Sequence, residues 1–71
     1  MKVKIKDLSG FCSSVFGGDD FIRHFPELQS TGIEVKQHDG NYYVMIDNKI
    51  AHDSCFFSPS EMKYLEEVKN A

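Results

Sequence analysis

Alternation of polar and apolar residues at the start of the chain predicts a β-strand. Lysine alternates with Val3 and Ile5 over residues 2–6, and a period of two places one set of side chains on each face of a sheet. We therefore expect Val3 and Ile5 to point inward and Lys2, Lys4 and Lys6 to point outward. Charged side chains along one strand also suit a sheet edge, where they discourage pairing with another molecule.

A first short helix is predicted to follow this strand. Ser9 is its candidate N-cap, and Gly17-Gly18 is the candidate end, because Ser suits the first position of a helix and Gly the position after the last. Its apolar pairs at i,i+4 spacing are Phe11 with Val15 and Cys12 with Phe16.

A second short helix is predicted to begin at Asp19 or Asp20, whose carboxylates suit a helix N-terminus. It would bury three apolar residues, Phe21, Ile22 and Phe25. Pro26 restricts the residue before it, so the helix either stops there or restarts with Pro26 in its first turn and Leu28 inward. Gly32 closes the helical region.

Asp39-Gly40, between two alternating runs, predicts a two-residue β-hairpin turn, because a type I′ turn needs positive φ at both central residues. With these residues as the loop, the cross-strand pairs run from His38 with Asn41 to Ile33 with Ile46. One face then carries Ile33, Val35, Val44 and Ile46, and the other carries Glu34, Lys36 and Tyr43.

A second turn at Asn48-Lys49 is expected to pair Ile46 with Ala51 and to give a third strand from Ile50 to about Cys55. Asn-Lys is weaker turn chemistry than Asn-Gly. The register of this third strand is therefore less constrained by the sequence than that of the first hairpin.

Ser58-Pro59-Ser60-Glu61 matches a capping box with proline at the first helical position. It predicts a C-terminal helix that runs to about Lys69. Met62, Leu65 and Val68 form its inner stripe, and Tyr64 lies at the border of that stripe.

These elements together predict an α+β fold in one domain, residues 1–71. The fold is a small antiparallel sheet, made of the N-terminal strand and a three-stranded meander, with short helices after strand 1 and a C-terminal helix packed on one face. A domain of this size buries only about 60% of the surface of its unfolded chain, so most aromatic residues are needed for the core. The expected core aromatics are Phe11, Phe16, Phe21, Phe25, Tyr42 and one of Phe56 and Phe57.

The formal charge of −3 is unevenly distributed. Three of the 8 basic residues precede Asp7, which leaves 5 basic against 11 acidic residues from there onward, a balance of −6. An acidic body repels phosphate backbones at long range, which disfavours binding to duplex nucleic acid. The sequence has no apolar run long enough to span a membrane and no signal-peptide pattern at its start, so we expect a cytoplasmic protein without membrane contact.

The sequence offers no residue set with catalytic or metal-binding spacing. Cys12 and Cys55 lie 43 positions apart and are expected to be small buried residues rather than part of a disulfide framework. His52 and Cys55 project to opposite faces if residues 50–55 are extended, which separates the best metal candidates. We expect a protein that is not an enzyme and has no cofactor.

The sheet face opposite the helices is the main candidate for a binding surface, because aromatic residues and methionine are enriched in the cores of protein interfaces. The candidate partner-binding residues are Lys36, Tyr43, Met45, His52 and Tyr64. The leading hypothesis is a small protein-binding module. Small acidic chains without a catalytic set are common among accessory proteins of phages and other mobile elements, including inhibitors of host enzymes or defence complexes.

The alternative hypothesis is a protein that binds single-stranded nucleic acid on the same sheet face. Lysines beside an exposed tyrosine resemble a platform on which bases stack. The residues concerned are Lys2, Lys4, Lys6, Lys36 and Tyr43. A homodimer formed through Tyr43 and Met45 is a third arrangement compatible with the sequence.

Overall fold

The computed structural model describes residues 1–15 and 17–69, which form a small domain of helices and antiparallel sheet. The helices are α1 (Leu8–Ser14) and α2 (Gly18–His24), with 3₁₀-helices at Pro26–Gln29 and Glu61–Tyr64. The strands are β1 (Lys2–Ile5), β2 (Ile33–His38), β3 (Asn41–Ile46), β4 (Lys49–Ile50), β5 (Phe56–Phe57) and β6 (Leu65–Glu67). The strand order is β4-β3-β2-β1-β6, and β5 also pairs with β3.

The β2–β3 hairpin confirms the register expected from its turn. His38 pairs with Asn41, and the ladder continues through Lys36 with Tyr43 to Val35 with Val44. Asp39 and Gly40 have φ angles of 52° and 84°, as a type I′ turn requires. The hairpin therefore fixes which residues face the helices and which face away from them.

The next turn lies one residue earlier than the sequence predicted. Asp47 and Asn48 adopt φ angles of 52° and 65°, and both residue types tolerate this region, whereas Asn48-Lys49 would have placed a lysine there. Ile46 consequently pairs with Lys49 instead of Ala51. The predicted register of the third strand is thus wrong.

The predicted third strand, Ile50 to about Cys55, is also not continuous, because β4 ends at Ile50 and the chain pairs with the same side of β3 again only as β5. The chain leaves the sheet over residues 52–54 and returns to it, so that both backbone groups of Val44 remain bonded. The Ala51 N–H donates to the Val44 carbonyl at 2.9 Å, and the Val44 N–H donates to the Cys55 carbonyl at 3.0 Å. Phe57 then pairs with Tyr42, and Phe56 with Tyr43.

The predicted C-terminal helix is absent from residues 58–69. One half of the predicted capping box forms, because the Ser58 N–H donates to Glu61 Oε1 at 2.8 Å, whereas the Ser58 hydroxyl bonds with that of Ser60. Only one 3₁₀ turn follows, since β6 pairs antiparallel with β1. The Lys6 N–H donates to the Tyr64 carbonyl and the Val68 N–H to the Lys2 carbonyl, both at 2.8 Å.

β1 therefore lies inside the sheet between β2 and β6, and it is not the edge strand that its lysines suggested. Lys2 lies opposite Glu34 of β2, and Lys4 lies opposite Glu66 of β6. Cross-strand pairs of opposite charge stabilise a sheet by roughly 0.2–1 kcal/mol each. The lysines of β1 thus face one acidic residue on each neighbouring strand.

The helices begin close to the expected positions but use different caps. Asp7, and not Ser9, caps α1 by accepting the Gly10 N–H on Oδ1 at 3.0 Å. α2 begins at Gly18, with Asp19 and Asp20 in its first turn. The chain restarts at Pro26 as a 3₁₀-helix that places Leu28 in the core, which is one of the two outcomes the sequence allowed.

The core lies between the helices and one face of the sheet. Its buried members are Val3, Phe11, Val15, Leu28, Ile33, Val35, Val44, Phe57 and Leu65. Phe21, Phe25 and Tyr42 pack against this cluster while half-buried, and Ile5 does the same. Phe57 is the core member of the Phe56/Phe57 pair, as one of the two was predicted to be.

The two cysteines do not lie in the core as the sequence predicted. Cys12 was predicted to be buried, but it is exposed, because it lies on the outer side of α1. Cys55 is half-buried, and both thiols are free. Phe16, also expected in the core, lies outside the described residues. None of the helices in residues 1–15 and 17–69 is long and apolar enough to cross a membrane.

Candidate functional site

The sheet face that points away from the helices carries a continuous set of aromatic and apolar side chains, which we call the open face. Side chains alternate along β3, so Tyr43 and Met45 project to the side opposite buried Val44. Their cross-strand partners project with them. The open face comprises Lys36, His38, Tyr43, Met45, Ile50 and Phe56.

The centre of the open face is a pair of neighbouring aromatic rings. Tyr43 and Phe56 have ring centroids 5.3 Å apart with an angle of 38° between the ring planes. The ring of His38 meets Tyr43 edge-on at 5.9 Å. Aromatic pairs at such distances attract each other by about 0.5–1.5 kcal/mol beyond the area they bury, so this centre has a defined shape.

Apolar surface continues from the ring pair towards β4. Met45 is half-buried, and Ile50 opposite it is 41% exposed. No helix in the described part of the chain packs on this side, because Phe11 and Phe21 of the two α-helices both contact Phe57, which points the other way. The open face thus exposes large side chains that a solvated sheet face does not need.

The charged residues beside the open face alternate in sign. Lys36 lies next to Tyr43, whereas Glu34 and Glu66 lie opposite Lys2 and Lys4. The Glu34 carboxylate also forms an ion pair with the amino group of Met1. The row of lysines that the sequence predicted is therefore interrupted by carboxylates.

The structure brings together three of the five predicted binding residues. Lys36, Tyr43 and Met45 lie together on the open face. His52 instead lines a groove beside α2 on the helix side of the sheet. Tyr64 lies against α1, where its ring rests on the backbone of Gly10, and a Cβ at Gly10 would come within 2.6 Å of that ring.

Tyr64 is held in this position by its neighbours. A hydrogen bond with Ser14 lowers the pKa of Tyr64 below its ordinary value, and burial opposes this effect. Lys63 lowers the pKa further, and its ammonium group lies 5.1 Å from the ring centre. These contacts explain Tyr64 as a packing residue between α1 and the second 3₁₀-helix.

His52 lies in the excursion between β4 and β5, where a tight turn replaces the extended chain that the sequence predicted. The Cys55 N–H donates to the His52 carbonyl at 3.1 Å. Because of this turn, His52 and Cys55 line the same groove, together with His24. Within residues 1–15 and 17–69, however, no three His, Cys, Asp or Glu side chains are grouped so that they could hold a metal ion.

Sequence reasoning missed three members of the open face: His38, Ile50 and Phe56. The hairpin register already placed His38 on the same face as Lys36, two residues away. Phe56 follows from the rule that neighbouring strand residues face opposite sides, once Phe57 is assigned to the core. Ile50 could not be placed, because its position depends on the shifted turn at Asp47-Asn48.

Comparisons of the chain with family models, with curated proteins and with solved structures found no match.

Proposed function

We propose that the chain is a small protein-binding module, without catalytic activity, that uses the open face to contact a protein partner. The observation that carries the proposal is the ring pair of Tyr43 and Phe56, which lies beside Met45 and Ile50 on a sheet face that no described helix covers. Interface cores are enriched in aromatic residues and methionine and depleted in charge. The composition of the open face matches that pattern.

The mixed charges around the ring pair support a protein partner over a nucleic acid. A protein that binds single-stranded nucleic acid follows the phosphate backbone with a continuous basic groove. Here Glu34 and Glu66 stand opposite two of the lysines. Such alternating charges suit the polar rim of a protein interface, where they give specificity more than affinity.

Binding to single-stranded nucleic acid is the second candidate function, and one observation favours it. Tyr43 and Phe56 offer two adjacent ring faces next to Lys36. Each stacked base is worth about 1–3 kcal/mol on such a platform. The two candidates therefore use the same residues and must be separated by experiment.

The first test is capture of partners from a lysate of the native cells with immobilised protein. We compare the wild type with Tyr43→Ser and Phe56→Ser, and with Leu8→Ser as the matched control. Leu8 is 48% exposed on α1, away from the open face. Removal of a central aromatic anchor costs about 2 kcal/mol or more, so we expect the two open-face variants to bind a retained partner at least tenfold more weakly.

Retention of the same partner by all four proteins would contradict the proposal. In parallel, the anisotropy of a labelled oligothymidylate reports nucleic-acid binding at low and moderate salt. Binding that weakens steeply with salt and is lost in Tyr43→Ser would establish the second candidate instead. Circular dichroism and thermal unfolding of each variant check that the fold is retained.

A further inference from the structure

The apolar side chains of the open face form two rows that cross the strands. Tyr43 lies opposite Phe56, and Met45 lies opposite Ile50. Residues two positions apart on a strand are separated by about 6.7 Å, and residues four positions apart on an α-helix are separated by about 6 Å along its axis. A helix that lies along β3 can therefore place one large apolar side chain on each row.

The backbone of β3 determines what kind of segment can cover these rows. β3 pairs with β2 on one side and with β4 and β5 on the other, so an added strand cannot bond to it there. A segment that lies on the open face must therefore satisfy its own N–H and C=O groups, since buried groups without partners are costly. An α-helix does this internally, and its apolar stripe can pack on a sheet. The open face thus suits an amphipathic helix.

A depression of about 650 Å³ adjoins the row of Met45 and Ile50. Met45 lines it together with Lys36 and Glu34 of β2 and Asn48 of the following turn. Methionine side chains adapt to contacts of different shapes, and the volume is within the range of about 300–1,000 Å³ typical of ligand sites. The depression gives the second apolar side chain of a bound helix room beside Lys36.

Lys36 supplies a positive charge that is not ion-paired. Its side chain is exposed and forms no ion pair with any residue of the described ranges 1–15 and 17–69. Glu34, two positions away on the same face, is ion-paired with the amino group of Met1. Asp39 in the hairpin turn lies beside His38, with its Oδ2 atom 3.3 Å from Nε2 of the ring. A bound helix therefore meets a free ammonium group next to its apolar contacts, which favours a carboxylate at that position.

A second copy of this chain fits the open face less well. A two-fold dimer brings the same surface of both copies together. Lys2, Lys4 and Lys36 all lie on this side of the sheet. Among the described strand residues two carboxylates lie there, and one of them, on Glu34, is already ion-paired. Each copy would thus present an excess of positive charge to the other, and like charges across an interface are costly.

We propose that the open face binds an amphipathic helix of a protein partner that is acidic along one flank. The helix lies along β3 and presents large apolar side chains at positions i and i+4. One packs on Tyr43 and Phe56, the other packs on Met45 and Ile50, and an Asp or Glu of the flank pairs with Lys36. This inference rests on the proposed function of the open face and names the class of its partner.

The test uses the full chain and a fluorescein-labelled peptide that a hydrocarbon staple holds helical. The peptide carries Leu and Phe at positions i and i+4 and Glu on both flanks. Control peptides replace Glu by Lys, replace Leu and Phe by Ser, or carry a central proline instead of the staple. We expect saturable binding of the Glu peptide, at least about tenfold tighter than that of each control. Equal binding of any control, or no binding of the Glu peptide, would overturn the proposal.

Two matched variants test the role of Lys36. Lys49 is also exposed, but it lies opposite Ile46, so its side chain is on the other side of the sheet. Lys36→Glu should weaken binding of the Glu peptide at least about tenfold and strengthen that of the Lys peptide. Lys49→Glu makes the same change in net charge and should alter both affinities by less than about twofold. Equal effects of the two variants would contradict the proposal.

The other possible occupants are outcomes of parallel measurements. Binding of a labelled oligothymidylate but of no peptide would assign the open face to single-stranded nucleic acid and overturn the proposal. A dimer in sedimentation equilibrium that is lost in Tyr43→Ser would assign the open face to a second copy and overturn it as well.

Capture from a lysate separates failure of this inference from failure of the proposed function. A partner that Tyr43→Ser releases, but that Lys36→Glu and Lys49→Glu retain equally, would show that the open face binds a protein without an acidic helix. Retention of that partner by Tyr43→Ser would contradict the proposed function itself. We expect Tyr43→Ser and Lys36→Glu to release the partner and Lys49→Glu to retain it.

Discussion

At Gly32, both the backbone conformation and the surrounding space require glycine. Its φ angle is 93°, and a Cβ would lie 2.8 Å from the carbonyl oxygen of Val3 in β1. Gly40 in the hairpin turn has a similar φ of 84°, but a Cβ there would meet nothing within 4 Å. A comparison of the two glycines therefore separates the free-energy cost of the left-handed backbone conformation from the cost of steric crowding.

We expect Gly32→Ala to destabilise the protein more than Gly40→Ala. Both variants incur about 1–2 kcal/mol for an L-residue in the left-handed region. Gly32→Ala adds about 1–3 kcal/mol, because the new methyl group must displace the backbone of β1. Urea unfolding measures the difference, and equal free energies of unfolding would show that β1 does not pass so close to Gly32.

Cys12 is an exposed thiol whose environment suppresses its ionisation. Desolvation of the sulfur raises the pKa of Cys12, and Asp19 raises it further, by a hydrogen bond and by its charge. The folded state thus favours the protonated thiol. The raised pKa of Cys12 therefore contributes fully to the free energy of unfolding below the ordinary pKa of a cysteine. This contribution is lost as the pH rises through the higher pKa of the folded state.

Asp19→Asn should therefore lower the pKa of Cys12 and speed its alkylation by iodoacetamide at pH values near 8. A Cys55→Ser background leaves Cys12 as the single thiol to be measured. The rates of the two proteins should converge at high pH, where both thiols are ionised. An unchanged rate profile would mean that Asp19 does not act on Cys12.

At the scale of elements, the sequence predicted local structure better than long-range pairing. The β2–β3 register follows from Asp39-Gly40 alone, because the turn residues adjoin the residues they align. The C-terminal segment shows the opposite case. One of the two bonds of its capping box forms, yet β6 replaces the helix because β1, some sixty residues earlier, provides a hydrogen-bonding partner that no local pattern reveals.

The same limit applies to the candidate site. Tyr43, Met45 and Lys36 were placed correctly on one face, since they belong to the hairpin. His52 was misplaced because the strand that was to carry it is interrupted by a turn. The sequence also did not reveal the acidic residues opposite Lys2 and Lys4. Like the pairing of β6 with β1, these contacts join strands far apart in the chain, and tertiary packing determines which strands become neighbours.

The assignment of β6 as a strand can be tested with two proline variants. Lys2 and Lys6 bond with Val68 and Tyr64, so the alternation of an antiparallel ladder turns the Glu66 N–H towards β1 and the Glu67 N–H away from it. Glu66→Pro should cost about 1–3 kcal/mol, and Glu67→Pro less than about 1 kcal/mol. Both glutamates are exposed, and Glu66→Pro additionally loses the cross-strand pair with Lys4, worth roughly 0.2–1 kcal/mol.

In a helix, either proline would remove a backbone bond and cost about 3 kcal/mol. Similar large losses of unfolding free energy in both variants would therefore indicate a helix at residues 65–67. A large loss in Glu66→Pro alone would confirm the strand.

At the scale of the whole molecule, the sheet separates two surfaces of different chemistry. One side carries the open face with its ring pair and alternating charges. The other side carries the helices and the exposed side chain of Ile46, next to Phe21 and Phe25. The formal charge of −3 is thus the sum of two unlike sides of the molecule. The sheet face carries four lysines, Lys2, Lys4, Lys6 and Lys36, and the helical side is acidic.

Site-specific photo-crosslinking tests the central claim most directly, because it reports contact at a chosen residue. Benzoylphenylalanine replaces Tyr43 in one protein and Leu8 in the control, and each is irradiated in a lysate of the native cells. We predict a protein adduct from position 43 that excess wild type suppresses and excess Phe56→Ser does not, with no such adduct from position 8. The absence of a competed adduct at position 43, or equal adducts at both positions, would contradict the account.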